Sequence, residues 1–278
     1  KLRVGQPAAA NKAGEGEKTA VSAPAQNLPH YLTPFSGRDQ ERQQIRQRLQ
    51  ERSYRLLTIV GPGGMGKTRL ATQIADENGD LFADGVGFVP LAPIQSADAV
   101  PAAIAQALDI AFDSSVQGEE EQLVAHLQGK ELLLVLDNLE HLLDVIDLIL
   151  NILNHCPQVV VLATSRERLN AHAEDLFYLE GLPFPREETA VSTTTYASIE
   201  LFVNRAQRLD KSFRLTEENL PAIVRICQQV EGMPLGIELA AAWVEDFSCA
   251  EIAHTIANNL DFLTADYHDI ATRHQSLR

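Results

Sequence analysis

The chain is short of cysteine, of positive charge and of long apolar runs, and each shortage removes a class of protein. Its 278 residues hold three cysteines, Cys156, Cys227 and Cys249, far apart and without paired spacing. A disulfide frame or a zinc site needs such pairs, so free thiols in a reducing compartment, the cytoplasm, are expected. Cys227 falls on the apolar face of an expected helix, where packing is its role. Lys and Arg total 23 against 38 Asp and Glu, a formal net charge of −15. That balance opposes direct nucleic-acid binding by these residues, because such binding is driven by cationic contacts to phosphate. No apolar run reaches the roughly 18 residues that span a bilayer, no stretch reads as a signal peptide, and no internal repeat is present. Hydrophobic residues make up 45% and charged residues 22%, which suits one large or two smaller globular cores.

What the chain does have is Gly61-Pro62-Gly63-Gly64-Met65-Gly66-Lys67-Thr68, a match to G-x-x-x-x-G-K-[ST] at every fixed position. The apolar run from Arg55 to Val60 before it reads as a buried strand, and Arg69 to Ala75 after it as a helix. Glycines let the backbone turn so that successive N–H groups converge on phosphate oxygens, and the new helix points its positive end at them. In this pattern Lys67 reaches the β- and γ-phosphates and the Thr68 hydroxyl holds Mg²⁺, with Gly61, Gly63, Gly64, Met65, Gly66 and Arg69 around the nucleotide. A glycine-rich turn without a ligand is the bland alternative, and the intact Lys-Thr between strand and helix counts against it.

Leu132 to Asp137 reads as a second buried strand ending in a carboxylate, so Asp137 is the expected partner of Thr68 in the Mg²⁺ shell. Fast P-loop hydrolases often carry a general base at the next position, where this chain has Asn138. An amide cannot take a proton, which predicts slow turnover. Glu140 and His141 are the nearest substitutes, although an exposed first helical turn explains them equally well. Arg166, at the end of the strand Val159 to Ala163, is a candidate for stabilising γ-phosphate charge. The alternative is a surface arginine paired with Glu167 or Asp175.

Strands alternating with helices predict a parallel α/β sheet, with further strands at Val86 to Pro90 and Leu176 to Leu179. Helices are expected over Asp39 to Arg52, to about Glu77 after the P-loop, through Ile104 and Leu108 with Ser96 as cap, and over Glu119 to Gln128. A further helix is expected from Leu139 to about Cys156, on an apolar stripe at helical period. Beyond Pro185 the pattern is helical only, with a capping box at Ser248-x-x-Glu251. The expected organisation is a flexible linker over 1–28, an α/β P-loop NTPase domain over 29–185, and a small all-α helical domain over 190–265. With Lys rather than Met at position 1, the chain reads as a piece of something longer.

In this order the motifs resemble the STAND class of signal-transduction ATPases, which includes bacterial regulators and the NB-ARC switches of immunity and apoptosis. The residues that carry the resemblance are Thr33 to Asp39, Gly61 to Ala71, Leu133 to His141, Ala163 to Glu167 and Gly232 to Leu235. The resemblance implies that Phe35, Ser36, Gly37 and Arg38 line the adenine side and that Arg166 is a sensor arginine. It also implies that Pro234 and Leu235 close over adenine or ribose, so that ATP or ADP with Mg²⁺ is clamped between two domains. Ser36 stands where the family usually has an aliphatic residue. Residues 266–278, ending Arg273 to Arg278, are similar to the lead into a winged-helix domain. Such regulators carry an N-terminal effector or DNA-binding domain and C-terminal winged-helix and sensor domains, and self-oligomerise on nucleotide exchange. The function so implied is a regulatory ADP/ATP switch with slow hydrolysis. Two other readings stay open: a conventional P-loop ATPase or kinase with its own substrate, and a nucleotide-dependent DNA-binding module.

Overall fold

The computed structural model describes residues 27–116, 118–186, 196–259 and 263. Among the described residues five strands run parallel: β1 (Leu56–Val60), β2 (Val86–Pro90), β3 (Leu133–Asp137), β4 (Val160–Ser165) and β5 (Glu174–Tyr178). Their order across the sheet is β2-β3-β4-β1-β5. The P-loop strand and the Asp137 strand are therefore separated by β4, whose C-terminal end lies between the two. This placement brings Thr164 and Arg166 to the same edge as the P-loop and Asp137.

The three central strands are buried at every position, which is why their sequences run apolar without alternation. Alternate side chains enter different cores. Leu56, Leu134, Leu136, Val161 and Ala163 pack under α3 (Val100–Ala107), α4 (Glu119–Leu127) and α5 (Ile146–His155). Leu57, Ile59, Leu133, Val135 and Leu162 face α1 (Asp39–Glu51) and α2 (Lys67–Asn78). The result is a three-layer α/β/α domain.

Four further helices form a separate cluster: α6 (Ala197–Leu209), α7 (Leu220–Gln229), α8 (Pro234–Ala241) and α9 (Cys249–Asn258). Phe202, Ile223, Ile226, Cys227, Ile237, Ile252 and Ile256 make its core. The capping box is present as expected, with Ser248 Oγ accepting from the Glu251 N–H and the Glu251 carboxylate accepting from the Ser248 N–H.

Three expectations change. The helix expected from Leu139 begins only at Ile146, after a 3-10 turn over Leu143–Val145. Leu139 and Leu142 are buried as loop anchors, which imitates a helical stripe in the sequence. Ser96 caps a short 3-10 turn, Ala97–Ala99, and α3 starts one residue later. Asn27 and Leu28, at the end of the expected linker, are docked. The Asn27 carboxamide makes paired hydrogen bonds with the Phe88 backbone at 2.8 and 2.9 Å, and Leu28 packs on the core. The rest of the linker, residues 187–195 at the junction of the two expected domains, and the winged-helix lead at 266–278 lie outside the described residues.

Candidate functional site

The P-loop leaves β1 with the Gly61 N–H bonded to the Ser165 carbonyl at 3.2 Å. Gly64 and Gly66 take left-handed φ values of 78° and 84°, which side chains rarely adopt, so the glycine spacing is a backbone requirement. Gly66 is the N-cap of α2, and Lys67 and Thr68 open that helix with no side-chain cap on its first N–H groups. Those donors and the helix dipole make an anion cradle. The Lys67 ammonium bonds the Gly61 and Pro62 carbonyls at 2.8 and 3.0 Å, at the mouth of the loop. Burial pushes its pKa below the ordinary lysine value; Glu140 and Asp137 oppose that fall and Arg166 adds to it.

Thr68 Oγ1 donates to Asp137 Oδ1 at 2.7 Å, joining the two motifs that the sequence pointed to. Thr164 Oγ1 donates to the same oxygen at 2.6 Å and accepts from the Asn138 N–H at 2.9 Å. Thr164 is thus a positioning residue that motif reading passed over. A hydroxyl and a carboxylate held together at the loop mouth are the hard oxygen donors Mg²⁺ takes, with phosphate and water completing its shell. The donor set fits that cation. Among the described residues no group of three or more His, Cys, Asp and Glu side chains is gathered for a different metal.

Asn138 has a φ of 74°, a conformation asparagine tolerates better than most residues, and it turns the chain sharply out of β3. The turn is pinned by the Leu139 N–H on the Thr164 carbonyl at 3.0 Å. His141 is tied to the Ile94 carbonyl at 2.8 Å and lies 3.4 Å from the Asn138 amide nitrogen. Glu140 turns inward, and the Arg166 Nε donates to its Oε1 at 3.0 Å. Neither alternative partner of Arg166 is used: Asp175 pairs with Arg48 instead, at 2.8 Å.

Arg38 is buried with a φ of 69°, and its guanidinium donates to the Met65 carbonyl of the P-loop at 3.2 Å. Arg69 reaches back to the Thr33 and Pro34 carbonyls at 2.8 and 3.0 Å, with its guanidinium 5.0 Å from the Tyr31 ring and 6.0 Å from that of Phe35. A cavity of about 190 Å³ lies here, lined by Tyr31, Thr33, Phe35, Arg69, Thr72 and Asp76 among others. Gly37, φ 70°, stands so close to α6 that a Cβ would lie 2.6 Å from Ala197 Cβ. Ser36 is half-buried between Phe35 and Gly37.

The helical domain touches the loop itself. The Leu235 N–H, at the start of α8, donates to the Gly64 carbonyl at 3.2 Å. A Cβ on Gly64 would lie 2.9 Å from Leu235 Cβ and 3.3 Å from Met233 Sδ, and Pro234 Cγ lies 3.9 Å from where a Gly66 Cβ would stand. Behind this contact the Leu182 N–H donates to the Gly232 carbonyl at 2.7 Å. A Cβ on Gly181 would meet the Glu231 carbonyl oxygen at 1.9 Å, and one on Gly232 the Leu182 carbonyl oxygen at 2.1 Å. These glycines let two backbones interlock, a long-range fit that no local motif announces. Glu238 on α8 is partly buried; desolvation raises its pKa, while Arg69 leads three arginines that lower it.

The parallel sheet, the glycine cradle and the Thr68–Asp137 pair define a P-loop nucleoside-triphosphatase fold. Residues 38–175 match the NB-ARC domain, and this part of the chain is an NB-ARC-like nucleotide-binding module, as the resemblance to STAND ATPases implies. A candidate HTH-type transcriptional regulator of Mycobacterium tuberculosis is 36% identical over 225 residues, 81% of this chain and 24% of its own length. The chain thus spans about a quarter of that relative. An uncharacterized protein of the same species is 34% identical over 223 residues, 80% of this chain and 53% of its own length. Among solved structures, Cdc6p from Pyrobaculum aerophilum superposes with a TM-score of 0.54 at 16% identity, over 78% of this chain and 64% of that one. The ADPNP-ADP complexes of the ORC2 protein from Aeropyrum pernix give 0.53 at 13% identity, over 81% and 69%. These likenesses bear on the fold.

Proposed function

We propose that the chain is the ADP/ATP switch module of a multidomain transcription regulator, with the helical domain as its moving part. The observation that carries this is the direct bond from the Leu235 N–H to the Gly64 carbonyl, which ties the helical domain to the loop that cradles phosphate. A change in the loop's occupant then changes the contacts that hold the two domains together. Differential contact of this kind is what a ligand needs in order to shift a conformational equilibrium.

In the resting state ADP lies in the P-loop with the helical domain closed over it. Phe35 to Arg38 line the adenine side, and Pro234 and Leu235 meet the base or ribose. Bound Mg²⁺, held by Thr68 and Asp137, would neutralise phosphate charge as it develops. Lys67 and Arg166 face the γ-phosphate when ATP replaces ADP. Asn138, an amide past the metal carboxylate, accepts a hydrogen bond from water but no proton, so hydrolysis is slow and the ATP state persists. Output runs through an effector or DNA-binding domain elsewhere in the full protein, in the cytoplasm, and through nucleotide-dependent self-association. The name of the mycobacterial regulator supports transcription as that output. With its net charge of −15, this module leaves DNA contact to other parts.

Hydrogen exchange at the Met233 and Leu235 amides, compared with ADP and with a non-hydrolysable ATP analogue, tests the reading. Greater protection with ADP is expected. Equal protection with both, together with turnover of many ATP molecules per second, would instead indicate a conventional ATPase.

A further inference from the structure

We propose that Glu140 sets the preference between ADP and ATP by competing with the γ-phosphate for Arg166; this rests on the reading that Arg166 faces that phosphate. The pair is asymmetric. The Glu140 side chain is 17% exposed and the Arg166 side chain 57%, so the carboxylate is the fixed end and the guanidinium the movable one. Glu140 Oε1 accepts the Arg166 Nε–H at 3.0 Å. Its other oxygen, Oε2, is buried and has no hydrogen-bond partner among the described residues. A largely buried carboxylate with one oxygen unpaired depends on the one guanidinium that bonds it, because losing that partner leaves its charge without a hydrogen bond.

Arg166 also lies against the P-loop. Its Nη2 and Cζ are 3.7 and 3.8 Å from the point where a Gly63 Cβ would stand. The same guanidinium therefore touches the loop with one end and Glu140 with the other. Both charges act on Lys67, Glu140 favouring its charged form and Arg166 opposing it. ADP fills the cradle without disturbing this pair. A γ-phosphate calls on Arg166, and every bond it takes from Glu140 is repaid by a stranded carboxylate. That cost falls on ATP alone. With Oε2 closed off and Oε1 engaged by Arg166, neither oxygen of Glu140 is left free to take a proton from the attacking water as a general base must.

The test is binding of ADP and of a non-hydrolysable ATP analogue, both with Mg²⁺, by titration calorimetry. Wild type, Glu140→Gln, Arg166→Ala and the double variant would be compared, each checked for folding by circular dichroism. Glutamine keeps an acceptor for Arg166 and removes the charge, so Glu140→Gln is expected to tighten the analogue about three- to fivefold, the scale of a partly exposed ion pair, with ADP unchanged. Arg166→Ala weakens the analogue and leaves ADP unchanged, and in the double variant the Glu140→Gln gain vanishes, as coupled sites require. Should Glu140→Gln not fold, Glu140→Ala and Arg166→Lys read the same competition, with a gain and a smaller loss expected respectively. Equal shifts for both nucleotides, or a gain that survives in the Arg166→Ala background, overturn the competition while leaving Arg166 as the sensor. An Arg166→Ala variant that binds both ligands as wild type does removes the sensor reading itself.

Discussion

The two domains are built on different terms. The α/β domain has its strands buried on both faces, and its site is held by bonds within the domain: Thr68 and Thr164 on Asp137, Arg38 on the Met65 carbonyl. The helical domain has its own core around Phe202 and Ile223, yet meets the site through few atoms, chiefly the Leu235 N–H and the side chains of Leu235, Met233 and Pro234. In the proposed switch, one domain is fixed for binding and the other changes its position with what is bound. A switch needs both.

The comparison breaks most readily in the helical core. Phe202→Ala removes a fully buried ring and is expected to cost that domain about 3–5 kcal/mol, with the nucleotide domain keeping its own melting transition. A single shifted transition in calorimetry would show that the two cores are not separate. Gly64→Ala adds a methyl group against Leu235 and Met233 at a φ of 78°, so about 1–3 kcal/mol is expected against the closed arrangement. It would register as lost protection at α8 and unchanged protection in the sheet.

Ser248→Ala removes the capping box of α9 for about 1 kcal/mol, read by urea denaturation, and leaves nucleotide affinity alone. The smallest effect near neutral pH comes from the thiols. Burial raises Cys227 from 9.0 to about 12 and Cys249 to about 11. Because the folded values lie above the unfolded one, the stabilisation is complete below about pH 9 and is lost as pH rises towards 12. Alkylation of Cys227 at pH 8 is accordingly expected to be slow and to track opening of the helical domain. Rapid labelling of the folded protein would contradict its burial.

Much of the nucleotide domain was legible because its signals are local. A P-loop is a contiguous pattern, and strands covered on both faces announce themselves as unbroken apolar runs, as in Leu133 to Asp137. Lys67, Thr68, Asp137 and Arg166 do come to one sheet edge. Sequence reasoning failed where a tertiary contact imitates a local one. Leu139 and Leu142 extended a helical stripe across a turn that starts from the left-handed Asn138. It also failed where the decisive fact is distance in the chain. Thr164 differs from any strand threonine only by facing Asp137 across the sheet. Gly181 matters because its backbone passes at contact distance from Glu231, and Gly232 combines the same closeness with a left-handed φ of 67°. The strand order that sets Arg166 beside the P-loop follows from pairing, which no single segment encodes.

The most direct measurement is to denature the purified protein and identify any released nucleotide by chromatography, with Lys67→Ala prepared in parallel. A switch that traps its product predicts about one ADP per chain in the wild type and loss of about tenfold or more in the variant, since a charged hydrogen bond to phosphate is removed. A protein free of nucleotide that turns over ATP many times per second would contradict the account.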